Sequence, residues 1–201
     1  MLRLFFLLFI IISINTLSAQ TIQEYDKILK IENLKFNTNE IRVYKKYAIS
    51  TGLELFRFYQ DDKENWKAEL YKTFVISGNK EDKIIVDKTI LNSLKNPKLI
   101  WAQILDTDVV CLSKWETFKY KLKKHMHDYE VIDGEVTSST QTTRIMDGIS
   151  YTVKIKTGEN ENEFSYSNPE DYLKTYPNVD ELISFKELLD LLKKDFKIFS
   201  K

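Results

Sequence analysis

Residues 40–76 read EIRVYKKYAISTGLELFRFYQDDKENWKAELYKTFVI, and this stretch decides the fold class. Apolar and polar side chains alternate over 40–49 and recur in strand-like runs over 53–60 and 66–76. A period of two is typical of strands, and the intervening turns at Thr51-Gly52 and 61–65 are short. Three strands joined by short turns predict an antiparallel meander.

The last third of the chain returns to strand patterns. Residues 129–132 lead into an Asp133-Gly134 turn, and segments 135–146 and 149–157 flank Asp147-Gly148. Asp-Gly between two such segments is the strongest hairpin signal in the chain, so we predict that these two segments pair. A further strand begins near Phe164 and Tyr166.

Helical signals lie between and after these strand groups. Segment 21–35 predicts one or two helical turns or a docked irregular segment, and 99–105 has helical spacing. Residues 84–86 suggest a short strand, and 89–94 a helical turn that Asn96-Pro97 breaks. Asn168 is predicted to cap a short helix that opens with Pro169.

Two capping-box patterns predict further helices. Ser113 with Glu116 would open a helix, although a strand competes there, and Ser184 with Glu187 would open a terminal amphipathic helix. Together these signals predict one α+β domain over residues 20–201. Its antiparallel sheet would consist of two meander or hairpin groups, with a few helices covering one face.

Residues 1–19 have the pattern of an export signal. Arg3 precedes a run of nine apolar residues, and small and polar residues lead up to Ala19. The run is shorter than the roughly 20 apolar residues that span a bilayer, so we predict cleavage near Ala19. The alternatives are cleavage after Ser18 and an uncleaved anchor. The mature protein is then expected to be soluble, periplasmic or secreted, with no stable membrane anchor.

Charge and glycine content exclude several function classes. Acidic and basic residues balance at 30 each, so no basic excess favours nucleic acid as a partner. The five glycines are too far apart for a phosphate-binding loop or a dinucleotide fingerprint, and no nucleophile elbow is present. We therefore predict no cofactor.

The candidate metal ligands are His125 and His127, which would share one face of a strand. Two histidines alone do not complete a zinc site, and solvated histidines are the preferred interpretation. Cys111 lies in an apolar run and is interpreted as a small buried hydrophobe. No catalytic, cofactor-binding or metal residue is predicted.

Carboxylate pairs and aromatic residues offer two weaker patterns. The acid pairs lie at turns or helix starts, where acids are expected without catalysis; they are Asp61-Asp62, Glu81-Asp82, Asp106 with Asp108, Glu170-Asp171 and Asp180-Glu181. The aromatic residues of the C-terminal third are interpreted as buried between the last hairpin and the terminal helices; they are Tyr151, Phe164, Tyr166, Tyr172 and Tyr176.

The C-terminal third also resembles a block found in uncharacterised exported proteins of Bacteroidota. The residues that carry this resemblance are Asp147-Gly148, Tyr151, Lys154, Asn162, Phe164, Tyr166, Asn168-Pro169, Tyr172-Leu173, Tyr176-Pro177 and Asp180-Glu181-Leu182. The resemblance implies a small exported protein and carries no activity or site residue with it.

The expectation for function is a non-enzymatic binding or interaction domain outside the cytoplasm. An envelope protein or a glycan is the kind of partner considered. Two alternatives stay open: a secreted hydrolase with an unrecognised histidine or acid site, and a periplasmic inhibitor or immunity protein.

Overall fold

The computed structural model describes residues 22–50, 52–76, 83–93, 95–142, 145 and 148–199, and it confirms the α+β class. The strands are β1 (Asn39–Tyr47), β2 (Leu53–Gln60), β3 (Trp66–Ile76), β4 (Lys83–Leu91), β5 (Lys123–Ile132), β6 (Glu135–Thr142), β7 (Ile149–Thr157) and β8 (Asn160–Ser167). The helices are α1 (22–28), α2 (Pro97–Leu105), α3 (Trp115–Phe118), α4 (Pro169–Thr175) and α5 (Asp180–Phe196). A 3-10 turn, Lys119–Leu122, follows α3.

Six strands form one antiparallel sheet in the order β4-β3-β2-β1-β7-β8. The predicted meander of β1, β2 and β3 is confirmed, and β4 extends it by one strand. The helical turn predicted over 89–94 is wrong, because Thr89 pairs with Leu70 of β3 and Ile90 pairs with Glu69. Pairing with a neighbouring strand overrides the weak local helical pattern there.

The hairpin predicted at Asp147-Gly148 is also wrong. β6 pairs with β5, while β7 pairs with β1 and β8. Asp147 lies outside the described residues. Gly148 serves a close approach instead: its carbonyl accepts a hydrogen bond from Ala48 N, and a Cβ there would lie 1.6 Å from Asn168 Oδ1.

The larger core lies between one face of this sheet and the helices α2 and α5. Val43, Phe56 and Val153 contribute from the strands, and Phe185 and Leu189 contribute from α5. All are buried to 2% exposure or less. The apolar stripe of α5 recurs at three- and four-residue spacing, so the helix buries one side along its length.

The second face of the sheet is covered by α1 and the residues just after it. The sequence predicted helices on one face only, so this cover was not predicted. Tyr25 and Leu29, in and just after α1, pack on Tyr44, Leu55 and Tyr71 of β1, β2 and β3. The helical turns predicted in 21–35 are confirmed as α1. The fold therefore has three layers, with the sheet in the middle.

Both predicted capping boxes are wrong in their position. Lys114 precedes α3 without a side-chain cap, and the chain tightens into the 3-10 turn after only four helical residues. Ser184 lies inside α5, which begins four residues earlier at Asp180. Asp180 and Glu181 place negative charge in its first turn, where the helix dipole favours acids.

Cys111 is exposed, so its interpretation as a buried hydrophobe is wrong. Asp108 adopts φ 58°, and this left-handed residue tightens the loop after α2. The chain then buries Val109 and Leu112 and turns the cysteine outward. No helix of the described residues combines the length and apolar composition needed to cross a bilayer.

Candidate interaction surface

β5 and β6 form a two-stranded sheet of their own. In the described part of the chain, neither strand pairs with the six-stranded sheet. An isolated two-stranded hairpin is at best marginally stable in water, because it has too little apolar surface to bury. In the described part of the chain, the hairpin therefore leaves strand edges and the exposed side chains of Val131 and Val136 accessible to a partner.

The turn of this hairpin is set locally by two residues. Asp133 and Gly134 have φ of 54° and 84°, so both central residues are left-handed. That is the condition of a type I′ turn, whose twist matches two antiparallel strands. Val131 consequently pairs with Val136, and Tyr129 pairs with Ser138.

One face of the hairpin is apolar and exposed. Directly paired residues lie on the same face of a sheet, so Tyr129, Val131, Val136 and Ser138 share one face. Tyr129 is 68%, Val131 71% and Val136 72% exposed. Large apolar side chains exposed together are typical of interaction sites rather than of a monomer's ordinary surface.

Charge is distributed unevenly along the hairpin. Three acids lie within six residues around its tip: Glu130, Asp133 and Glu135. Four lysines lie within six residues at its root: Lys119, Lys121, Lys123 and Lys124. Of these, Lys121 is engaged with the body of the protein through Glu181 Oε1 at 2.8 Å. The hairpin thus has an acidic tip and a basic root.

His125 and His127 both lie on β5, as the strand interpretation predicted. The structure places them by their backbone only, so the solvated interpretation stays a prediction. Among the described residues, no three His, Cys, Asp or Glu side chains come together as metal ligands. The candidate interaction surface therefore consists of the exposed apolar face of the hairpin and its strand edges.

A groove of about 740 Å³ lies where β1 ends and β7 begins, beside α4 and α5. Tyr47, Tyr151 and Leu173 line it, together with Glu170 and Lys186. Its charged groups are engaged within the protein: Glu170 Oε1 accepts from Lys193 at 2.6 Å, and Lys186 binds Asp190. Among the described residues that line the groove, the ionic groups are paired and do not converge on its centre as those of a small-molecule site would.

A buried ionic network crosses the face of the sheet that α1 covers, and the sequence patterns did not reveal it. Glu40 Oε1 accepts from Arg42 Nε at 2.6 Å and from Arg57 Nε at 2.7 Å. Arg57 Nη1 also reaches Glu69 Oε2 at 3.4 Å, and Lys88 Nζ lies 2.9 Å from Glu69 Oε1. Glu40, Arg42 and Arg57 are buried, so the centre of the network lies in the interior, whereas Lys88 closes it at the surface.

The network fastens the segment after α1 to the sheet. Arg42 Nη2 donates to the carbonyl of Leu34 at 3.0 Å, and Glu40 Oε2 accepts from Asn37 N at 2.9 Å. Burial alone would raise the pKa of Glu40, but hydrogen bonds and charge from Arg57 and Arg42 outweigh it and hold that pKa below its ordinary value. A paired, inaccessible carboxylate of this kind stabilises the fold and is not placed to act on a substrate.

The aromatic residues of the C-terminal third are largely buried, as predicted. Tyr166 lies at 5.1 Å ring separation from Phe185 of α5, edge to face, and Phe164 at 5.9 Å from the same ring. Tyr151 also packs edge to face on Phe185. Tyr172 remains partly exposed beside them. These rings join the sheet to α5 and do not form a binding platform.

The carboxylate pairs within the described residues have structural roles. Asp61 Oδ1 accepts from Lys63 N and Asn65 N in the β2–β3 turn. Glu181 binds Lys121 across to the 3-10 turn. Asp171 binds Lys174 on α4. Glu81-Asp82 lies outside the described residues.

The comparisons with known proteins add no identification. The chain matches no protein-family model, no curated protein and no solved structure.

Proposed function

We propose that this protein is an exported, non-enzymatic interaction domain that recognises another protein surface through the β5–β6 hairpin. The observation that carries the proposal is the exposed face of Tyr129, Val131 and Val136 on a hairpin outside the main sheet. Apolar residues placed this way gain free energy when a partner covers them, at about 25 cal/mol per Å² removed from water.

Export is part of the same proposal and rests on residues 1–19. Their charged start, apolar run and small-residue end support cleavage near Ala19 and delivery to the periplasm or the outside. Outside the cytoplasm, a recognition element with both ends of its hairpin charged would meet envelope or secreted proteins.

The test compares one double variant with a matched control. Val131→Lys with Val136→Lys places two charges on the exposed face, whereas Ile90→Lys changes an equally exposed side chain, 72%, on β4. Each tagged protein is recovered from the envelope fraction after reversible cross-linking.

We expect a stoichiometric partner with the native protein and with Ile90→Lys, and its loss with the double variant. Equal recovery of the partner with all three proteins would contradict the hairpin as the recognition element. Turnover of a polymer substrate by the purified protein, with no partner recovered, would instead favour the hydrolase alternative.

A further inference from the structure

From the edges of the hairpin, we infer that its occupant is a second copy of this chain, joined through β6 in an antiparallel, two-fold arrangement. This inference rests on the proposed function and deepens it, because the second copy joins the same hairpin edge to edge and brings the two apolar faces together into one wider recognition surface. Its first support is the composition of β6. Residues 136–142 read VTSSTQT and contain no charge, proline or glycine.

Exposed strand edges normally carry charges or prolines that prevent pairing with other chains. The other edge strands of the described residues follow this rule: β4 contains Asp87 and Lys88, β8 contains Glu161 and Glu163, and β5 contains Glu130 and two lysines at its start. The edge of β6 alone among them has a run of seven uncharged residues. Its threonines and β-branched Val136 also favour an extended conformation.

The second support is the charge distribution along the hairpin. In an antiparallel pairing of β6 with its copy, the tip of each hairpin lies beside the root of the other. The acids around Asp133 then lie at the same end of the sheet as Lys123 and Lys124 of the other copy, which are one strand away because Lys123 pairs with Thr142 at the end of β6. Opposite charges meet at both ends, whereas a parallel pairing would place like charges together.

This arrangement has closed two-fold symmetry, so it forms a dimer and does not continue into a fibre. A two-fold axis perpendicular to the sheet makes each copy use the same edge, which is the usual geometry of homodimers. The two hairpins become one four-stranded sheet, and the apolar faces around Val131 and Val136 lie side by side on the same surface. The isolated hairpin thereby gains the extra strands that a stable sheet needs.

The size of the surface predicts how strongly the copies associate. A stable interface of standard size buries about 800 Å² on each partner. The paired edge is β6, whose eight residues extend over about 27 Å, and one such edge offers less than that. We therefore expect a monomer–dimer equilibrium that depends on concentration and on salt.

The test uses charge reversal in protein purified after export. A tip variant changes Glu130, Asp133 and Glu135 to lysine, and a root variant changes Lys119, Lys123 and Lys124 to glutamate. Sedimentation equilibrium measures the mass of each protein alone and of their mixture, and circular dichroism checks that each variant is folded.

We expect the native protein to double in mass as its concentration rises. Each variant alone should remain monomeric, and an equimolar mixture should regain the doubled mass, because the reversed tip then meets the reversed root. A misfolded variant could not produce this recovery.

A native protein that stays monomeric at every concentration would overturn the inference, and so would dimers that both variants leave unchanged. If the native protein is monomeric but the double variant at Val131 and Val136 still loses an envelope partner of another sequence, the proposed function stands and the self-pairing fails. If the native protein is monomeric and the double variant also keeps its envelope partner, both the self-pairing and the proposed function fail.

Discussion

At Gly148 the absence of a side chain lets Asn168 reach across two strand ends. Asn168 adopts φ 51°, and its Oδ1 accepts from Ile149 N at 2.8 Å while its Nδ2 donates to Ile145 O at 3.2 Å. It occupies the position before α4 but does not cap that helix with its side chain. One residue thereby joins the start of β7 to the end of β8.

Gly148→Ala should lower the free energy of unfolding by about 1–3 kcal/mol, because the new Cβ displaces the Asn168 amide and leaves buried polar groups unpaired. Urea unfolding measures the change. The control is the cycle with Asn168→Ala: the double variant should lose less than the sum of the two single variants. Simple additivity would contradict the clash.

Glu40 shows how a buried charge is tolerated when two guanidinium groups share it. Glu40→Gln should lower the free energy of unfolding by about 3–5 kcal/mol, since it leaves Arg42 and Arg57 buried without their carboxylate. Glu170→Gln is the control: it removes one surface ion pair with Lys193, and we expect a loss of about 1 kcal/mol or less.

The lowered pKa of Glu40 predicts that its contribution to the free energy of unfolding depends on pH. The pKa of Glu40 is lowered in the folded state, so its stabilisation is complete above the ordinary value near 4.5 and is lost as pH falls through the lower folded value. Asp26 acts in the opposite sense, because burial raises its pKa. The measurement is therefore the difference in unfolding free energy between the native protein and Glu40→Gln. That difference should shrink as the solution is acidified below pH 4.5; a constant difference would contradict the assignment.

At the scale of elements, α1 and the residue after its last turn close the second face of the sheet. Leu29 is 2% exposed and packs in the cluster with Tyr44 and Leu55. Leu29→Ala should cost about 2–5 kcal/mol of unfolding free energy, which is the usual cost of a cavity left by a buried leucine. Leu34→Ala, at 38% exposure, should cost much less. Equal losses in thermal or urea unfolding would show that α1 does not carry this packing.

The hairpin should behave in the opposite way. Because β5 and β6 lend no strand to the main sheet, Val131→Lys with Val136→Lys should change the unfolding free energy of the monomer by less than about 0.5 kcal/mol. Urea unfolding at low protein concentration checks this. A large loss would mean that the hairpin supports the fold and is not reserved for a partner.

Strand positions were predictable from the sequence where the local residue pattern and the pairing with a neighbouring strand favour the same structure. β2 and β3 lie where alternation and turn residues place them, and α2 follows its apolar spacing. The pairing of β6 was predicted wrongly, because Asp133-Gly134 and Asp147-Gly148 are both hairpin turn sequences and the more strongly flanked one was chosen, whereas tertiary contacts decide between them. Glu40 was also hidden, since a charged residue on the second face looks solvated until α1 is known to cover it.

At the scale of the whole molecule, the chain divides into a packed body and a hairpin that lies outside its sheet. The central strands of the six-stranded sheet are covered on both faces and the charges buried there are paired, whereas the edge formed by β3 and β4 leaves Phe74, Ile84 and Ile90 exposed. The apolar face of the hairpin had no sequence signal beyond short alternation. The structure adds that the hairpin lies outside the main sheet, and this separation identifies its exposed apolar face as a candidate recognition surface.

Export determines where the mature chain begins. We expect protein isolated from the envelope or the medium to begin at Gln20, because cleavage near Ala19 removes the apolar run ahead of it. N-terminal sequencing or intact-mass measurement checks the site. A chain that retains residues 1–19 and stays with the membrane would contradict the expectation and favour the anchor.

Site-specific photo-cross-linking in intact cells tests whether the hairpin contacts a partner. A photoreactive residue is placed at Val131 in one protein and at Ile90, which is equally exposed on the main sheet, in another. We expect a discrete cross-linked adduct from position 131 and none from position 90. No adduct from position 131, or adducts of equal yield from both positions, would contradict the hairpin as the recognition element.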